Sequence, residues 1–310
     1  MLRTFAELEA AARVHPAVRL VVVAAHDPDA LEAVARAEAT GLARGIYVGE
    51  PRSIRQVADR LGVGVGDEAI VAEPDARSAA RTAIAMIAAG DGDLLMKGRI
   101  ATADLVRAIL DRESGLRTGR ALSQVIAFTV PALGRIMLLT DAAINIAPDL
   151  ARKADICRNA IEVAHVLGSP NPNVALVCAL EFVNPEMPAT VDAAALTMMN
   201  RRGQIAGAHL EGPIALDAVL SRFAAERKGI ASPVVEDSDI IIAPDIEAAN
   251  ILYRAICYLS GGESGGVVVG ASIPVVLLSR AESPETKLRS IAIAKLLFEA
   301  ARGGAGGESN

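Results

Sequence analysis

Ser279 and Arg280 are the residues whose types and placement most directly suggest chemistry. They follow the apolar run 275–278, and Ser283-Pro284 reads as an N-cap with proline in the first turn, opening a helix that sets Leu288, Ile291, Ala292 and Leu296 on one face. A hydroxyl, a guanidinium and a helix N-terminus then meet where backbone N–H groups and the positive end of a helix dipole suit an anion such as phosphate. A plainer reading is also open, in which Ser279 turns the chain and Arg280 pairs with an acidic neighbour. Lys97-Gly98 holds a comparable place, just past the strand 94–96 and before the helix 102–110, where ligands bind in open α/β sheets. Lys97 is thus a candidate anion ligand or a solvated lysine.

Further candidates sit in stiff loops. Asp141 and Asn145 precede the helix 150–167, and three strands end in loops built on Asn184-Pro185, Gly212-Pro213 and Pro244, where proline fixes the backbone. Asn184, Asp192, Asp217 and Asn250 could each reach a ligand, although side-chain capping of a turn accounts for Asn184 equally well. Other patterns fall away on context. The four histidines show no zinc spacing. Gly262-Glu263-Ser264-Gly265-Gly266 matches G-x-S-x-G, but a nucleophile elbow runs strand to helix and here the order is helix to strand. The glycines of 62–66 follow a helix with the wrong spacing for a dinucleotide loop.

The elements that must position these residues alternate along the chain. Helices are expected at 4–14, 27–40, 51–61 and 76–89, with strands at 19–24, 46–48 and 94–96, which predicts right-handed crossovers and a largely parallel sheet. Residues 124–130 and 135–140 read as a hairpin turning at 131–134, followed by βα units with strands at 174–182, at 209–210 leading to Gly212-Pro213, and at 240–243. The β-branched runs 267–269 and 275–278 read as buried strands, and the Gly-rich end 303–310 as a disordered tail.

Composition narrows the classes. Of 310 residues 52% are hydrophobic, 3% aromatic and none tryptophan, an aliphatic balance that suits helix-covered sheets and not base-stacking surfaces. Net charge is −6 with no long basic run, which argues against nucleic acid. Three scattered cysteines offer neither a disulfide framework nor a CxxC metal site and fit a reducing cytoplasm. No apolar run is long enough to span a membrane and the first residues do not form a signal peptide, so a soluble protein is expected.

Taken together, Lys97-Gly98, TDAAINIAPD (140–149), NPEMPATVDAAAL (184–196), EGPIALD (211–217), SPVVEDSDIIIAPDIEAANILYR (232–254) and SRAESPETK (279–287) resemble the phosphate acetyltransferase and phosphate butyryltransferase family. The likeness runs over roughly residues 90–300, and NIAPD and SRAESPETK look closer to the butyryl branch. It implies a two-domain, three-layer α/β/α fold of the isocitrate/isopropylmalate dehydrogenase kind. Residues 1–143 and 271–310 would form a discontinuous first domain closed by the C-terminal helix, 144–270 a second, and the active site would lie in the cleft between them. The implied reaction is reversible transfer of an acetyl or butyryl group between coenzyme A, a co-substrate, and inorganic phosphate. No bound cofactor or metal is implied, and the implied assembly is a homodimer or larger.

In this likeness Ser279 and Arg280 take the catalytic positions. The acetyl branch has an aspartate seven residues after the serine as base for the thiol, where this chain has Thr286. Glu285 is therefore the expected base, with Glu282 and Asp141 as substitutes; a thiol pKa of about 8.5 can also be lowered by Arg280 and a helix N-terminus with no carboxylate. Lys97, Gly98, Asp141, Asn145, Asn184, Gly212, Pro213, Asn250 and Ser283 are the expected substrate-binding set. Competing readings are an NAD- and metal-dependent oxidoreductase or a long-chain acyl-phosphate synthase on the same fold, and a weakly active relative that binds coenzyme A esters.

Overall fold

The computed structural model describes residues 1–277 and 282–305. In chain order the elements are α1 Phe5–Arg13, β1 Val18–Val23, α2 Pro28–Ala39, β2 Ala43–Gly49, α3 Pro51–Leu61, β3 Ile70–Ala72, α4 Ala76–Ala88, β4 Leu94–Lys97 and α5 Thr102–Ile109. Then come β5 Ser123–Thr129, β6 Met137–Thr140, α6 Leu150–Val166, β7 Asn173–Val177, α7 Pro188–Arg201, β8 His209–Ile214, α8 Leu216–Leu220 and α9 Arg222–Arg227. The chain ends with β9 Ile240–Ile242, α10 Ile246–Leu259, β10 Glu263–Val269, β11 Val275–Val276 and α11 Pro284–Ala305. These elements form two compact units, one of Ala6–Arg120 with Gly265–Asn310, the other of Met1–Phe5 with Ala121–Ser264.

In the first unit the strands run in the order β3-β2-β1-β4-β11-β10. Neighbours are parallel except β10, which runs antiparallel to β11. Four successive residues of β1, Leu20 to Val23, are fully buried, as parallel strands covered on both faces must be. Local signals fix the helix starts. Asp27 Oδ1 accepts from Ala30 N at 3.0 Å ahead of Pro28, and the Glu50 carboxylate accepts from the N–H groups of Arg52 and Ser53 ahead of Pro51.

α11 closes this unit. Its Ile291, Ala292 and Ala294 are buried, Arg36 of α2 meets Glu285 at 2.6 Å, and the buried Lys287 ammonium lies 3.4 Å from Asp29. The helix continues to Ala305, so residues 303–305 are helical where a tail was expected; 306–310 lie outside the described residues.

The second unit orders its strands β5-β6-β9-β7-β8, with the expected β5–β6 hairpin antiparallel and the other pairs parallel. The pairing of β5 with β6 and of β6 with β9 puts the hairpin in this unit, so the chain divides at 120/121 and not at 143/144. Two expected ends differ. β7 stops at Val177, and the following apolar Phe182 and Val183 are exposed. Gly212-Pro213 lies inside β8 and not in a loop after it; β8 is the last strand of its order, where a missing N–H leaves no central ladder broken.

Asp93 anchors the entry to β4. Its carboxylate takes the Arg19 backbone N–H at 2.7 Å and the Arg19 guanidinium at 2.7 and 3.1 Å. Burial pulls its pKa up, but these bonds outweigh burial and hold it below the ordinary value. A carboxyl depressed in the folded state adds stability above its unfolded pKa of about 3.9, and loses it as pH falls through the folded value. Asp93→Asn should therefore lower stability by about 1 kcal/mol at pH 7, and denaturant titrations should show the gap to the parent protein closing under acid.

Candidate active site

β1, β4 and β11 end side by side in the first unit, since Val23 pairs with Lys97 and Val276 with Met96. Lys97 is the last residue of β4, half-buried, its Nζ 3.3 Å from Gly98 O. Gly98 has a steric reason to be glycine. A Cβ there would sit 2.5 Å from Val23 O and 2.6 Å from Ala24 O, because Gly98 N and Arg99 N each bond those carbonyls at 2.9 Å. Glycine thus lets β4 close onto β1 and sets the direction in which Lys97 leaves the sheet.

Ser279 and Arg280 lie outside the described residues. Both flanks of residues 278–281 are described. β11 lies along β4 on one side; on the other Ser283 caps α11, its Oγ accepting from Thr286 N at 3.2 Å. Glu285 is exposed and bound to Arg36, and that bond, more than any other influence, holds its carboxyl below the usual range. A base works best with a pKa near the working pH, so this pairing makes Glu285 a weak acceptor for a thiol proton. Thr286 is buried and keeps its hydroxyl 3.3 Å from that of Ser283.

Two features of this unit escaped the motif search. His26 lies three residues past β1; its Nδ1 is buried with no hydrogen-bond partner among the described residues, and burial first, then Arg99, push its pKa down. The second is a cavity of about 550 Å³ between α4 and α5. Arg77, Arg81 and Arg107 line it together with Asp104, Asp111 and Glu113, over an apolar floor of Ile84, Ala85, Ala88 and Ala108. Asp104 accepts from Arg107 at 2.7 Å and lies 3.4 Å from Arg77. Arg77 and Arg81, four apart, share a helix face, but nothing in the spacing announces Arg107 as their neighbour.

In the second unit three expected residues form one network. Asp141, just past β6, is 4% exposed and accepts at Oδ1 from Ala143 N, Ile144 N and Gln124 N (3.0, 3.1 and 3.3 Å). Its Oδ2 accepts from Asn145 N and Nδ2 (3.0 and 2.6 Å). Asn145 Nδ2 also donates to Leu122 O at 2.7 Å, and Asn250 Nδ2 to Ala142 O at 3.1 Å. Burial raises the Asp141 pKa against these donors. With its oxygens engaged, Asp141 organises the loop.

Asn184 makes the turn anticipated for it, Oδ1 accepting from Glu186 N at 3.0 Å ahead of α7. Gly212 is again sterically required, since a Cβ would meet Leu176 Cβ at 2.5 Å, and its carbonyl accepts from Thr197 Oγ1 at 3.1 Å; Pro213 follows in β8. Ser264 lies within β10, buried, 3.2 Å from Tyr253 Oη, which bears out the rejection of a hydrolase elbow. Among the described residues no cluster of His, Cys, Asp and Glu could hold a metal, and no helix is long and apolar enough to cross a membrane.

A strand-end lysine, an arginine-lined cavity and polar loops held by their own side chains are parts that suit an anionic substrate. Comparison with known proteins decides which kind. The profile of the phosphate acetyl/butaryl transferase family matches residues 65–295. The chain belongs to this family. It is an acyltransferase and not the oxidoreductase considered as an alternative.

The family's phosphate butyryltransferase from Clostridium acetobutylicum is 42% identical over 96% of this chain and 99% of its own. The phosphate acetyltransferase of Thermotoga maritima is also 42% identical, over 89% of this chain and 93% of its own. A solved branched-chain phosphotransacylase from Enterococcus faecalis V583 superposes with a TM-score of 0.78 at 31% identity, covering 91% and 99% of the two chains. At equal identity the butyryl relative is matched over more of this chain than the acetyl relative.

The close approach at Gly98 generates a direct test. Gly98→Ala should cost about 2 kcal/mol in stability and lower acyltransferase turnover more than tenfold by moving Lys97, whereas Gly64→Ala, where nothing lies within 4 Å, should do neither. Thermal melts and initial rates on the two variants read the difference.

Proposed function

We propose that this acyltransferase uses Ser279 and Arg280 to hold an acyl carbonyl and phosphate while a short acyl group passes between coenzyme A and orthophosphate. The reaction is acyl-CoA + phosphate = acyl phosphate + CoA. In the synthetic direction a phosphate oxygen attacks the thioester carbonyl, the new C–O bond forms, the C–S bond breaks, and the thiolate takes up a proton. In reverse the thiolate attacks the acyl phosphate and phosphate leaves. Either way negative charge builds on the carbonyl oxygen and on the leaving group, so cations aimed there lower the barrier.

The arginine-lined cavity is the observation that carries this reading. Coenzyme A bears a pyrophosphate and a ribose phosphate far from its thiol, and the three guanidiniums, set among Asp104, Asp111 and Glu113 over an apolar floor, offer donors to such an anionic, partly apolar group. Lys97, with the Asp141–Asn145–Asn250 loop, Asn184, Gly212-Pro213 and the Ser283 cap, makes up the rest of the proposed substrate-binding set. The thiol needs little help from a carboxylate. Its ordinary pKa of about 8.5 is lowered by Arg280 and the N-terminus of α11, so Glu285, tied to Arg36, is the lesser contributor. In this reading the enzyme binds no resident cofactor and works in the cytoplasm as a homo-oligomer.

The decisive assay follows free thiol released from acetyl-, propionyl- and butyryl-coenzyme A with and without phosphate; release that does not depend on phosphate overturns the reading, and the three rates rank chain length. Arg280→Ala should cut turnover by about 10² to 10³ with the fold intact, while Glu285→Gln should stay within about threefold of the parent rate. Arg107→Ala should raise KM for the coenzyme A substrate about tenfold and leave KM for phosphate unchanged, as loss of one charge-assisted contact requires. Equal changes in both constants would remove the cavity from substrate binding.

A further inference from the structure

β6, β9, β7 and β8 are parallel neighbours, so their carboxyl ends lie together at one end of the second unit's sheet, the end where ligands bind in open α/β folds. The loop that leaves β7 there presents Phe182 and Val183 to solvent, 61% and 52% exposed. Polar bonds on both sides hold the pair out. Ahead of it, Glu181 Oε1 accepts from Lys228 Nζ at 2.6 Å, and the same ammonium donates to Asp217 Oδ1 at 2.7 Å, which ties the loop to α8 and to the end of α9. Behind it, Asn184 N donates to Thr190 Oγ1 at 2.9 Å, and this buried hydroxyl of α7 lies 3.0 Å from Asn184 O and 2.8 Å from Met187 O. A lone exposed apolar residue is ordinary, but two in succession clamped outward from both flanks are surface kept for a ligand.

We propose that Phe182 and Val183 are the bed on which the acyl chain of the thioester lies, and that they set the chain length the enzyme prefers. This rests on the reaction proposed above and names the part of the site that reads the acyl group. Three features favour an acyl chain as the occupant. The pair directly precedes Asn184, one of the proposed substrate-binding residues, so the apolar surface continues a polar one, as an acyl chain continues a carbonyl. Polar groups of the neighbouring loops and strand are engaged within the protein, Asp141 by the N–H groups of its own turn, Asn250 by Ala142 O and Gly212 O by Thr197, which leaves the two side chains as what this part of the loop offers outward. The clamps order the bed before anything binds, so a short chain need not supply the free energy of arranging it.

Identity over the whole chain does not choose a length, being the same to a butyryl and to an acetyl relative. The choice falls to the few side chains in contact with the acyl group, where one methylene more or less changes kcat/KM by about tenfold or more.

Initial rates with acetyl-, propionyl- and butyryl-coenzyme A at saturating phosphate test the proposal, read as the ratio of kcat/KM for the butyryl to that for the acetyl substrate. Phe182→Ala should lower this ratio about tenfold and Val183→Ala about threefold, while Phe182→Leu, which keeps an apolar side chain, should stay within about twofold of the parent. Melting temperatures should hold, since both side chains are more than half exposed; should Phe182→Ala not fold, Val183→Ala carries the test. Phe223→Ala, at a residue 73% exposed on α9, should leave the ratio where it is. A ratio that is unchanged or raised in the folded variants, a fall that Phe223→Ala matches, or equal losses on all three substrates overturns the acyl bed. Phosphate-dependent release of thiol by the parent protein keeps this failure apart from that of the reaction: where release is present the reaction stands when the bed falls, and where it is absent both fall.

Discussion

The ammonium of Lys295 is fully buried on α11 and donates to His15 O at 2.9 Å, with Gly41 O at 3.4 Å. Burial pushes its pKa down, the expected response of a cation withdrawn from water. What it gains is direction. The two carbonyls belong to the loops that enter β1 and β2, so one side chain from the last helix fixes the first two strands of the unit at a single point. An aliphatic residue would fill the space without choosing a register, whereas an ammonium is tolerated only where acceptors meet it. With α11 placed in this way, Glu285 and Lys287 reach Arg36 and Asp29, and Ser283 caps the start of the helix.

The two units contribute different chemistry. In the first, cations sit at the last residue of β4, Lys97, and, with Asp104, Asp111 and Glu113, around the cavity between α4 and α5, as Arg77, Arg81 and Arg107. In the second, the loop after β6 is held from within. Asp141 takes the N–H groups of the turn it precedes, Asn145 ties that turn to Leu122, and Asn250 fastens it from α10. Such a loop loses little freedom when a ligand binds, because its backbone is already ordered by its own side chains.

The chain belongs to the phosphate acetyl/butaryl transferase family, and the proposed reading gives these features a role in its reaction. A thioester and an acyl phosphate exchange with little change in bond strength, so the enzyme mainly supplies position and charge compensation. Replacement of the expected aspartate by Thr286 then removes less than it first suggests, since a thiol is acidic enough to ionise among cations.

Much of this was legible in the chain itself. β-branched runs bounded by Gly270 and Pro274 gave β10 and β11, and Asp27, Glu50 and Ser283 next to Pro28, Pro51 and Pro284 marked helix starts, because strand burial and helix capping are local. Six separated strings in one order were enough to suggest the family. Pro213 misled because its tolerance inside β8 depends on that strand having a neighbour on one side only, a fact of sheet order. Phe182 and Val183 misled because an apolar run does not announce that its partner strand has ended. Tertiary structure alone decided that Glu285 answers to Arg36, that Arg107 joins Arg77 and Arg81, and that Lys228 holds Glu181 beside Phe182, for each joins residues whose distance along the chain carries no information about their distance in space.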